Sequence, residues 1–142
     1  MKDRITLTPS LEDYLEAILQ LEKKNRVARV KDIASALGVQ MPSVSGALKS
    51  LKSKGMIDYE KNSFINLTDE GKKIAVRVYE KHKLLVSFFQ NVLLLDKDEA
   101  TEVGCKVEHV INIETAIKLS KIEKFLKDKT QDIETWNKII SK

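Results

Sequence analysis

Val30-Lys-Asp-Ile-Ala-Ser-Ala-Leu37-Gly38-Val-Gln40-Met-Pro42-Ser43-Val-Ser45-Gly-Ala-Leu-Lys49-Ser-Leu-Lys52-Ser-Lys-Gly55 reads as two short helices joined by a tight connection. The first helix covers residues 30–37 and closes at Gly38, a residue favoured where a helix ends in the left-handed conformation. Residues 39–42 make the connection, and Pro42 suits the first turn of the next helix, where its missing N–H costs nothing. That helix is expected over residues 43–54. Val44, Leu48 and Leu51 predict its buried stripe, while Ser43, Ser45, Lys49 and Lys52 predict an outer face of short and basic side chains. The pattern is that of a helix-turn-helix, whose second helix enters a DNA major groove. Gln40, Ser43 and Ser45 are candidates for base or adjacent phosphate contacts, and Lys49 and Lys52 for phosphates. Arg29 and Pro42 complete the candidate set on this segment.

Downstream, residues 56–60 and 64–67 alternate like two short strands around a turn at 61–63, which predicts a wing with Lys61 and Asn62 at its tip. Upstream, Ser10-Leu-Glu-Asp13 resembles a capping box. Leu11, Tyr14, Leu15, Ile18, Leu19 and Leu21 then predict an amphipathic helix running to about Lys24. Between Arg26 and Lys61 lie seven basic residues and three acidic ones, an excess equal to the net +4 of the whole chain. Such local basicity is the electrostatic footprint of a phosphate-binding surface.

The C-terminal half reads as helices: one over roughly 68–92, one over 98–111, one beginning after the capping residue Asn112, and a last one within 130–142. Within the second of these stands Cys105-Lys-Val-Glu108-His109, holding the only cysteine and one of two histidines. On a helix these spacings put a thiolate, a carboxylate and an imidazole on one face, half a site for a divalent transition metal. On these residues alone, a core cysteine beside two solvated polar groups is an equal alternative. Ile117, Leu119, Ile122, Phe125 and Leu126, with Leu93 to Leu95, supply more apolar surface than one small core needs, which points to a homodimer.

At 142 residues the chain suits one domain or two small ones sharing a core. A lone cysteine forms no internal disulfide, so it serves as a reactive thiol, a ligand or a core residue. The N-terminus lacks the apolar segment of a signal peptide, and no apolar run is long enough to span a bilayer, so a cytoplasmic location is expected. No Gly-rich phosphate loop or His-Glu-x-x-His motif supports an enzyme. The expected fold is mainly α, with a winged helix-turn-helix over residues 1–73 followed by a helical metal-binding and dimerisation domain over 74–142.

Five stretches together resemble the diphtheria toxin repressor / manganese transport regulator family of metal-dependent repressors. They are Thr8-Pro-Ser-Leu-Glu-Asp-Tyr-Leu-Glu-Ala-Ile; Ala28 through Val39 with Pro42-Ser-Val-Ser; Leu67-Thr-Asp-Glu-Gly-Lys; Lys81-His-Lys-Leu-Leu; and Cys105-Lys-Val-Glu-His-Val. The resemblance implies metal ligands at Asp13, Glu16, His82, Cys105, Glu108 and His109, the first helix contributing two of them. It implies a homodimer that binds a palindromic double-stranded operator, with Mn²⁺ or Fe²⁺ as corepressor controlling metal-uptake genes. Co²⁺, Ni²⁺ or Zn²⁺ are expected to substitute. The chain mixes two branches of that family. The iron-sensing branch carries Cys-x-x-Glu-His but typically has Met where Asp13 stands; the manganese-sensing branch carries Asp-x-x-Glu but typically has a carboxylate where Cys105 stands. Val86 stands where the iron branch's second metal site uses a carboxylate. The SH3-like domain that part of the family carries is not expected here. The alternative expectation is a metal-independent winged-helix regulator that senses oxidation through Cys105.

Overall fold

The stripe of Tyr14, Leu15, Ile18 and Leu19 is buried along helix α1, Pro9–Asn25, in a computed structural model that describes residues 6–25, 27–60 and 63–142. The start of α1 corrects the sequence expectation. Its cap is Thr8, whose Oγ1 accepts a hydrogen bond from the Leu11 N–H at 3.2 Å, and Ser10 already lies inside the helix. Pro9 takes the first helical position, which its fixed φ favours over the position before a cap.

Helix α2, Val30–Leu37, ends at Gly38 with φ 65°, where the Gly38 and Val39 N–H groups close on Ser35 O and Ala34 O. A side chain there would meet its own backbone, so glycine is the residue that lets the chain turn toward the next helix. Helix α3, Met41–Ser53, starts two residues before the expected position, with Pro42 in its first turn. Val44, Leu48 and Leu51 are fully buried as the spacing predicts. Strands β1, Ile57–Asp58, and β2, Asn66–Leu67, pair antiparallel with Ile57 opposite Leu67, and an isolated bridge joins Ala28 to Ile65. The paired part of the wing is thus shorter than its alternating pattern. Lys61 and Asn62, the expected wing tip, lie outside the described residues.

Helix α4, Asp69–Asn91, is capped by Thr68, whose Oγ1 accepts from the Gly71 N–H. Helix α5, Lys97–Val107, is capped by Asp96, and helix α6, Ile113–Asp128, by the expected Asn112. Helix α7, Thr130–Ile140, follows after one residue. The chain divides into two compact units, Met1–Arg77 and Val78–Lys142. In the first, α1 packs on α2 and α3 around Leu15, Ile18, Ile33, Val44, Leu48 and Leu51. In the second, Leu85, Val92, Ala100 and Ala116 are buried, and the Trp136 indole N–H of α7 donates to Val92 O at 2.6 Å. Among the described residues no helix is long and apolar enough to cross a membrane.

Candidate metal centre and reading head

Helix α5 stops at Val107, four residues before the expected position 111. Cys105 is in the last turn. Glu108 is the C-cap residue and keeps a helical backbone (φ −57°, ψ −25°), its N–H bonded to Gly104 O, while His109 follows in a turn. The helical backbone thus carries through Glu108, beyond the last residue of α5. Glu108 stands between two imidazoles. Its Oε2 accepts from His82 Nδ1 at 2.7 Å, and its Oε1 lies 3.5 Å from His109 Nε2. The Cys105 Sγ is 3.7 Å from the same His82 Nδ1.

Glu108 is completely buried, yet among the described residues its Oε1 accepts no hydrogen bond. A buried carboxylate oxygen without a donor is costly, because desolvation of the charge goes uncompensated. Ligation of a cation removes that cost. One ligand atom each from His82, Cys105 and Glu108 falls within 4.8 Å of the others, close enough to share one ion. A thiolate, an imidazole and a carboxylate suit divalent ions of intermediate softness. The residues present fit such an ion. Asp13 and Glu16, the remaining expected ligands, are half-buried on α1 in the first unit.

Two residues that sequence reading passed over support this arrangement. Lys81, almost fully buried on α4, donates from Nζ to Ile111 O at 3.2 Å and so ties the segment after His109 to α4. Gly104 is buried beside Cys105 where α5 meets α4. A glycine inside an amphipathic helix was its visible sign; nothing in the sequence distinguishes Lys81 from its solvated neighbours.

In the first unit, α3 presents the expected face. Pro42, Ser43, Ser45, Lys49 and Lys52 are all exposed, as is Gln40 ahead of the helix. Lys52 also donates to Tyr59 O at 2.6 Å, so it braces the wing against α3 as well as offering charge. The Arg29 guanidinium lies 5.2 Å from the centre of the Phe64 ring, a cation–π contact that holds it against the wing. Phe64 is half exposed and was not in the expected set.

The model for the iron dependent repressor N-terminal DNA binding domain matches residues 6–64, and that for the iron dependent repressor metal binding and dimerisation domain matches residues 68–137. An uncharacterized HTH-type transcriptional regulator of Methanocaldococcus jannaschii is 33% identical over 124 residues, which cover 87% of this chain and 99% of that protein. The HTH-type transcriptional regulator MntR of Oceanobacillus iheyensis is 32% identical over 133 residues, 94% of this chain and 90% of its own. Among solved structures, that of the manganese regulator SloR superposes with a TM-score of 0.73 at 30% identity, over 84% of this chain and 55% of SloR. The chain thus spans nearly all of the two sequence relatives but about half of SloR. The relatives are transcriptional regulators and not enzymes. With a helix-turn-helix in the first unit, a buried carboxylate between two imidazoles in the second, and matches to both domains, the chain belongs to the iron dependent repressor family of metal-dependent transcriptional repressors, which includes MntR.

Proposed function

We propose that the chain is a homodimeric, cytoplasmic repressor of metal-uptake genes, and that Mn²⁺ or Fe²⁺ is its corepressor. The observation that carries this reading is Glu108, buried between His82 and His109 with one oxygen lacking a hydrogen-bond donor. Cys105 joins them as a ligand, and the family resemblance adds Asp13 and Glu16. A bound divalent cation supplies the positive charge that compensates the buried carboxylate. The other consequences belong to the chain. Asp13 and Glu16 are on α1, which packs on the reading helix α3 within the same unit. Holding those two side chains therefore constrains the reading head. Ligation must favour the DNA-competent arrangement over others for a switch to exist, and operator DNA then tightens metal binding by the same factor.

Exposed Ile117, Ile122 and Phe125 on α6 supply an apolar face for a second copy. Two such heads meet two half-sites of a palindromic operator. Gln40, Pro42, Ser43 and Ser45 face the bases and adjacent phosphates, while Arg29, Lys49, Lys52, Lys61 and Asn62 hold the backbone. A gel-shift titration with operator DNA, in chelator and in Mn²⁺ or Fe²⁺, tests the proposal. Metal-dependent binding is expected, and equal affinity in both conditions refutes it.

One observation favours a second reading. Cys105 is exposed and its sulfur is 3.7 Å from an imidazole nitrogen, a setting in which thiolates become reactive. Metal-dependent DNA binding that survives Cys105→Ser, with no response to peroxide, disposes of oxidation sensing.

A further inference from the structure

Gly104 on α5 faces Val86 on α4. A Cβ built on it would stand 2.8 Å from Val86 Cγ2, 3.7 Å from Val86 N and 3.9 Å from His82 Nδ1. The first distance is inside van der Waals contact. Val86 is β-branched and holds one χ1 well in a helix, so its methyl cannot turn aside cheaply. Glycine is a poor helix former compared with alanine, and its presence inside α5 is accounted for by this approach. Val86 lies one turn beyond His82, and Glu108 one turn beyond Gly104, with the Glu108 N–H bonded to Gly104 O. The separation of the helices at Gly104 and Val86 thus governs the 2.7 Å between His82 and Glu108 and the 3.7 Å between His82 and Cys105.

We infer that Gly104 against Val86 is a spacer that sets the bite of the His82–Cys105–Glu108 ligand set and so selects compact divalent ions over larger ones. Both are positioning residues, acting through the ligands on the two helices. The inference rests on the ligand set proposed above.

Thiolate charge-transfer absorption follows Co²⁺, a compact ion, and Cd²⁺, a larger one, on the full chain, with helical circular dichroism as the check on folding. Gly104→Ala is expected to weaken Co²⁺ binding by about tenfold or more, as other changes to ligand support do, and to weaken Cd²⁺ binding less. The double variant Val86→Ala/Gly104→Ala is expected to recover wild-type Co²⁺ affinity. It also decides the matter if Gly104→Ala alone does not fold. Alanine is the better helix former, so loss of affinity in a folded variant comes from the contact and not from helix propensity. A Gly104→Ala chain that binds both ions like wild type overturns the inference, as does an equal loss for both ions or a double variant that stays weak. A wild-type chain with no thiolate–Co²⁺ band overturns the ligand set itself, and this inference with it.

Discussion

The His82 Nδ1 and the Glu108 Oε2 lie 2.7 Å apart across twenty-six residues of chain, and Glu108 has no exposure to solvent. The pair joins the middle of α4 to the end of α5. It satisfies only one of the two carboxylate oxygens, which makes Glu108 the residue on which the candidate centre depends.

Glu108→Gln preserves size and removes the charge that a cation needs. Metal affinity is expected to fall by more than the roughly 10–100-fold typical of changes outside the ligand set. Mn²⁺ or Co²⁺ should then no longer raise the unfolding temperature, because a ligand that binds the native state stabilises it in proportion to its affinity. Calorimetry of both chains with and without metal is the measurement, and an undiminished thermal shift in the variant refutes the assignment.

Cys105→Ser exchanges a soft ligand for a harder, weaker one. The variant is expected to lose much of its response to Co²⁺ and Zn²⁺ while keeping most of its response to Mn²⁺, since thiolates favour softer ions. Operator binding titrated against each metal under anaerobic conditions tests this. A Mn²⁺ response lost in parallel with the others would show that the sulfur is needed for every ion.

Lys49→Ala removes an exposed cation from the outer face of α3. Affinity for operator and for unrelated DNA should fall together, and the slope of log affinity against log salt should become shallower by about one. Lys52→Ala should do more than this, because Lys52 also anchors Tyr59 O of the wing. Fluorescence anisotropy at several salt concentrations measures both variants; an unchanged slope for Lys49→Ala removes it from the phosphate contacts.

Phe125→Glu places a charge among the exposed apolar side chains of α6. A monomer in sedimentation velocity is expected, with weakened operator binding because two linked heads bind far more tightly than one. A dimer of wild-type stability moves the interface elsewhere.

Glu123 is buried, and burial pushes its carboxyl up, but hydrogen bonds from Lys127, Ser87 and Asn91 and the Lys127 charge outweigh this and hold it below the usual carboxylate range. A carboxyl depressed in the folded chain contributes stability above its unfolded pKa and loses it as pH falls through the folded value. Wild type should therefore be more stable than Glu123→Gln near neutrality, by about 1 kcal/mol. The gap should shrink on acidification below about pH 4. Urea unfolding of both chains at pH 7 and pH 3 checks this; a gap that does not narrow contradicts the charge-based account.

Much of the fold was legible because the helices are amphipathic and their ends carry specific residues. Val44, Leu48 and Leu51 announce the buried face of α3, Gly38 its preceding turn, and Asn112 the start of α6. Where the reading missed, short-range competition was the cause. Ser10 and Thr8 are both acceptable caps, and Pro9 between them decides for Thr8. The wing alternates over more residues than it pairs, because alternation records burial while pairing also needs a partner strand in reach.

By itself the sequence determined the order of elements, the candidate reading helix and the residue types of a candidate metal centre, since local propensity, periodicity and donor chemistry are properties of neighbouring residues. Only the tertiary structure brought His82 against Cys105 and Glu108. Glu108 sets its two oxygens toward His82 and His109, and nothing in the spacing along α5 announces the contact with His82, twenty-six residues away on α4. It also gave Gly104, Val86 and Lys81 their places, because close approach of two helices depends on side chains distant in sequence, and no local pattern records which of them will touch.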